Sequence, residues 1–202
     1  MSRRTGGRVA RYDEKTALIV VDVQNDFADP EGSLYVSEGE RVVPVVNDEI
    51  DAAQAAGAPV FYTQDWHPES TPHFAKDGGI WPVHCVRDSW GAEFHPDLKV
   101  VGEVVRKGTG GEDGYSGFTV RDPETGVESE TGLDEKLRAR GVTDVVVVGL
   151  ATDYCVKETV IDARRKGFEV TTLAQGMRAV NLKPDDGEQA LRDMQRAGAR
   201  LE

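Results

Sequence analysis

Two runs constrain the fold of this chain more than any other feature: TALIVVDV at residues 16–23 and DVVVVGL at residues 144–150. A strand with one wet face alternates apolar with polar side chains. An almost unbroken, β-branched run belongs to a strand covered on both faces. Similar but weaker runs occur at 59–65 (PVFYTQD), 100–107 (VVGEVVRK) and 168–173. Between them lie helical spacings. Val42, Val45, Val46, Ile50 and Ala53 share roughly one face of a helix over 38–56, with Pro44 tolerable in its first turn and Gly57 as its stop. Short helices are predicted over 133–140, where Thr131 and Asp134 have capping-box spacing, and over 156–166, ending at Gly167. A last helix is predicted over 185–197. Strand and helix in alternation predict an α/β fold: a three-layer α/β/α sandwich around a mainly parallel, Rossmann-like central sheet.

A chain of 202 residues suits one domain over 1–202, with 1–14 as a loose leader. That leader is basic but is followed by no apolar stretch, so it reads as no export signal, and no run approaches a membrane span. The net charge of −12 argues against nucleic acid and anionic membrane partners and leaves small molecules open. With two cysteines, Cys85 and Cys155, both expected reduced, the chain reads as cytoplasmic. The irregular segments 66–99 and 108–130 are long enough to expect function in them, with 121–130 as a solvated excursion.

Ligands of parallel α/β sheets bind beyond the carboxyl ends of the strands. Here those ends carry Asp22, Asp65 and Lys107, and the fourth leads to Cys155. Cys155 falls at the start of a helix, where free N–H groups and the dipole favour a thiolate, and Thr152 or Asp153 can cap that start. Each residue also has an ordinary explanation: a buried cysteine, a turn-capping Asp, a solvated Lys. Their joint position at strand ends favours chemistry. DWHPESTPHF (65–74) and WPVHC (81–85) then gather Asp65, His67, His73 and His84, a carboxylate and imidazoles suited to a divalent metal such as zinc, iron or manganese. Four protein ligands leave an open position only if coordination expands beyond tetrahedral. His95 lacks such company and reads as structural.

VDVQNDF (21–27), DWHPESTPHF, WPVHC, RKG (106–108), YSGF (115–118) and GLATDYCV (149–156) in this order resemble the nicotinamidase branch of the isochorismatase-like cysteine hydrolases, from about Ala17 to Leu182. The resemblance implies a hydrolase of NAD salvage that converts nicotinamide to nicotinate and ammonia and also accepts pyrazinamide. It implies that Cys155 is the nucleophile, Asp22 its acid/base partner and Lys107 the third member of the triad. Asp65, His67 and His84 match metal ligands. Many relatives carry a His where Thr71 stands and a Ser where His73 stands, and one subgroup uses a His at the latter place as a ligand. Phe27 and Trp81 match residues that enclose the pyridine ring, and Tyr115 helps close the pocket. A cis peptide before Ala151 would let the N–H groups of Ala151 and Cys155 form an oxyanion hole. The resemblance leaves a homo-oligomer open. It also leaves other amide or carbamoyl hydrolases of this fold as alternatives, with a non-catalytic metal-binding protein, a thiol redox sensor or a structural zinc site as more distant ones. Relatives often add a strand after the last helix, which here is expected to be short or absent.

Overall fold

The computed structural model describes residues 11–202, so most of the predicted leader lies outside the described residues. Six strands form one sheet: β1 (Thr16–Val21), β2 (Val60–Asp65), β3 (Glu103–Lys107), β6 (Asp144–Leu150), β7 (Glu169–Arg178) and β8 (Arg200–Leu201). Their order is β3-β2-β1-β6-β7-β8, and every pairing is parallel. β1 and β6, the most apolar runs, are the central pair, as burial on both faces requires. β8, two residues long, is the short strand expected after the last helix.

Alternate residues of the strands feed two cores. Leu18, Val20, Tyr62, Val146 and Val148 pack against Val42, Val46, Ile50 and Ala53 of α2 (Val42–Ala55). Ala17, Ile19, Val21, Phe61, Val145 and Val147 pack on the other side. Their partners there are Leu133 and Leu137 of α3 (Leu133–Ala139), Val160 and Ala163 of α4 (Lys157–Arg165), and Met194 of α5 (Asp186–Arg196). The result is the predicted three-layer sandwich. Among the described residues, no helix is long and apolar enough to cross a membrane.

Several local expectations are revised. The helix predicted from residue 38 is a 3-10 turn over Gly39–Arg41 before α2 proper. A four-residue helix, α1 (Asn25–Ala28), follows β1, too short to leave a periodic signal. β7 continues to Arg178, past a register shift opposite β6 between Val147 and Gly149. The excursion at 121–130 carries a small antiparallel hairpin, β4 (Thr119–Arg121) with β5 (Glu128–Glu130). Gly132, not Thr131, is the N-cap of α3; the Thr131 hydroxyl donates to the Gly117 carbonyl at 2.6 Å and its oxygen accepts the Leu133 N–H at 3.3 Å.

Candidate active site

At the carboxyl edge of the sheet the parallel register sets Val21 beside Thr63 and Gly149, and Asp65 beside Lys107. Gly149 is required by this close approach: at φ +122°, a Cβ there would sit 2.1 Å from the Val21 carbonyl oxygen. Asp22 leaves β1 in a left-handed conformation (φ 48°), which Asp tolerates better than most residues. Its Oδ1 accepts a 2.6 Å hydrogen bond from the Thr63 hydroxyl, and its Oδ2 lies 2.8 Å from Lys107 Nζ.

Lys107 is the hub of a fully buried cluster. Its ammonium donates to Asp65 Oδ1 and to the Gly114 carbonyl, and it lies 3.8 Å from Cys155 Sγ. Acceptor atoms of Asp22, Asp65 and Cys155 all fall within 4.8 Å of one another. Burial alone would strip the Lys107 proton, but Asp22 and Asp65 outweigh it and hold this ammonium well above its ordinary range. Burial pushes the Asp22 carboxyl up to about 6, against the pull of Lys107 and with the repulsion of Asp65. Asp65 also suffers burial, yet Lys107, with His67 and His84, carries its carboxyl below the ordinary range.

Cys155 sits in a single π-turn, Thr152–Val156, that runs straight into α4. The expected thiolate is not what this position favours. Burial pushes the Cys155 thiol well above its ordinary range, Lys107 opposes this, and Asp22 and Asp65 reinforce it. Nor do Thr152 or Asp153 cap the helix. Asp153 turns away and accepts the Val180 and Asn181 N–H groups at 2.9 and 2.8 Å. The Leu150–Ala151 peptide is cis, as the resemblance implied. Among the described residues, the Ala151 N–H donates to no protein acceptor, so it is free to receive an oxyanion beside Cys155.

Asp65 joins this cluster to the histidines. Its Oδ2 lies 3.7 Å from His67 Nε2 and 3.9 Å from His84 Nε2, and a ring nitrogen of each of His67, His73 and His84 falls within 4.8 Å of the others. Ligands bound at about 2.0–2.2 Å stand roughly 3–4 Å apart, so the spacing suits a shared ion. His84 Nδ1 is bonded to the Pro82 carbonyl at 2.8 Å, which leaves Nε2 to ligate. Among the described residues, both nitrogens of His67 are buried without a hydrogen-bond partner, a costly state that a bound cation relieves. The donor set therefore fits a divalent metal, and His73, the member that departs from many relatives, stands with the others. His95 stands outside, accepting the Asp97 N–H at 3.2 Å.

Both clusters open into one narrow pocket, walled by Phe27, Trp81, Tyr115, Tyr154 and Val180. The Phe27 ring is 5.4 Å from that of His84. Trp81 Nε1 donates to the Tyr115 hydroxyl at 2.8 Å, and its ring meets that of Tyr154 edge-on at 4.8 Å. Tyr154, Val180, Thr63 and Asp113 were not singled out from the sequence. The strand alternation of Thr63 with Asp65 and the adjacency of Tyr154 to Cys155 were available signals. Nothing local marks Asp113 or Val180.

A thiol, a carboxylate and an ammonium in contact, beside a free N–H group and an apolar aromatic pocket, can carry out nucleophilic acyl transfer. Comparison with known proteins agrees with this chemistry. The chain is 40% identical to the nicotinamidase of Escherichia coli over 203 residues, covering 92% of this chain and 93% of that one. It superposes on the pyrazinamidase of Pyrococcus horikoshii in complex with zinc with a TM-score of 0.82 and 40% identity, over 93% of this chain and 98% of that one. The PnC1 protein of L. infantum in complex with nicotinate gives a TM-score of 0.85 at 35% identity, over 95% and 94% of the two chains. The isochorismatase domain model matches residues 16–202, and the chain belongs to that family.

Proposed function

We propose that this protein is a nicotinamidase: it hydrolyses nicotinamide to nicotinate and ammonia through a thioester on Cys155, and accepts pyrazinamide by the same route. The observation that carries the reading is that Lys107 and Asp65 join a buried thiol–carboxylate pair to a three-histidine cluster at the floor of one aromatic pocket. A divalent metal held by Asp65, His67, His73 and His84 supplies, when bound, a Lewis acid for an aromatic ring nitrogen.

Phe27 and Trp81 enclose the flat ring, and Tyr115 braces Trp81 through its hydroxyl. This fixes the carboxamide near Cys155 and converts an encounter into an oriented complex. Because burial keeps the Cys155 thiol protonated, attack needs a proton acceptor in the site. Asp22 fills that role: its carboxylate takes the thiol proton as the sulfur–carbon bond forms. The negative oxygen that develops on the substrate is received by the N–H groups of Ala151 and Cys155, each worth about 3–4 kcal/mol in comparable sites. Lys107 stays charged throughout and offsets first Asp22 and then the anionic intermediate. As the carbon–nitrogen bond breaks, Asp22 returns its proton to the departing ammonia. Water, deprotonated by Asp22, then attacks the thioester, and nicotinate and the free thiol are released.

The test is to incubate the purified protein with nicotinamide and assay ammonia and nicotinate together. Turnover in the native protein and none in Cys155→Ala, with an unchanged circular dichroism spectrum, is the expected result. Activity in Cys155→Ala within a few-fold of native overturns the thioester route.

A further inference from the structure

Each imidazole of the histidine cluster is held differently. His84 is oriented by a backbone carbonyl and His67 by no hydrogen bond, whereas His73 Nδ1 lies 2.6 Å from Asp113 Oδ1. Among the described residues, this is the one carboxylate–imidazole pair of the cluster in which the carboxylate is not itself among the converging donors. It fixes the ring: with Nδ1–H donated to Asp113, only Nε2 is left with a lone pair for a cation.

The segment bearing Asp113 is tied down from both sides. Its backbone exchanges two hydrogen bonds with Arg121 of the β4–β5 hairpin, at 2.7 and 3.0 Å. Two residues earlier, the Gly111 carbonyl accepts the Thr71 hydroxyl at 2.6 Å, and Thr71 Oγ1 in turn accepts the His73 N–H at 3.2 Å. Thr71 thus pins the His73 loop to the Asp113 segment from the position where many relatives carry a histidine. A solvated hairpin with no pocket residue of its own serves to brace that carboxylate.

The geometry points to Asp113 as a positioning residue: by orienting His73 it raises the affinity of the cluster for a divalent cation. The inference rests on reading Asp65, His67, His73 and His84 as metal ligands. A carboxylate partner of this kind contributes about 10–100-fold in metal affinity.

The test uses zinc alone, titrated into metal-stripped full-length protein against a chromophoric chelator, with no substrate present. The variants are Asp113→Ala, Asp113→Asn, His73→Ala and the Asp113→Ala/His73→Ala double variant. Expected are about 10–100-fold weaker zinc binding in Asp113→Ala and a smaller loss in Asp113→Asn, which keeps an acceptor oxygen. With His73 already removed, deleting Asp113 should change affinity less than about twofold, because its effect acts through that ring. Native-like affinity in Asp113→Ala overturns the inference and leaves the metal site standing. So does an equal loss from deleting Asp113 with and without His73, which would mark a general loop effect. Absence of zinc binding in the native protein overturns both readings.

Discussion

Lys107 Nζ lies 2.8 Å from Asp22 Oδ2 with both side chains wholly shielded from water, and Lys107 also donates to Asp65. One cation therefore serves two buried carboxylates, and the second of these faces the histidines.

Removing that cation should be severe. Lys107→Met keeps most of the volume but leaves two carboxylates buried side by side. Breaking a buried pair by deleting one partner costs about 3–5 kcal/mol. The unfolding midpoint in urea should fall accordingly, and amide hydrolysis should be lost. A stability change below about 1 kcal/mol would mean that water already reaches this cluster.

The acid side of the pH profile should report Asp22. Burial raises its carboxyl to about 6, and only the ionised form can accept the thiol proton. As pH falls through that value, kcat/KM should drop roughly tenfold per unit. A cation bound at Asp65 favours the ionised form, so with metal present the midpoint lies at or below about 6. An acid limb centred well above 6 would point to another group.

Gly108 backs the histidine cluster. Its φ is +71°, and a Cβ there would stand 2.5 Å from His67 Cε1 and 2.7 Å from His67 Nδ1. Gly108→Ala should therefore displace the His67 ring and impose a left-handed backbone on alanine, at about 1–3 kcal/mol. Zinc retained after dialysis and the denaturation midpoint should fall together. Native values of both would show that the loop relaxes freely.

Asp153 binds the nucleophile turn to the chain that forms one pocket wall. Asp153→Ala removes the carboxylate that accepts the half-buried Val180 and the exposed Asn181 N–H groups, and stability should fall by about 1–3 kcal/mol in all, since water can replace part of what is lost. Because Val180 lines the pocket, KM for nicotinamide should rise as stability falls. A stability loss with KM unchanged would assign Asp153 to the fold alone.

What the chain announces locally is the scaffold and the cast of reactive groups. Unbroken apolar runs mark β1 and β6 as the central strands, because only a doubly covered strand tolerates them. The strand ends then expose Asp22, Asp65 and Lys107, and the ordered motifs supply His67, His73, His84 and Cys155. Periodicity reports which side of an element is buried, and so it reaches this far.

It carries no information on which polar groups meet across forty residues of chain, or on how far water is excluded where they meet. Only the folded molecule decided that the Cys155 thiol is pushed above its ordinary range despite a helix-start position, since desolvation, reinforced by Asp22 and Asp65, outweighs the pull of Lys107 there. Only the folded molecule decided that Asp153 ties down Val180 rather than capping α4, and that Asp113, in a loop with no periodic signal, holds His73. Hydrogen-bond partners and dielectric surroundings are properties of three-dimensional proximity, and the linear order of residues encodes them only through the complete fold.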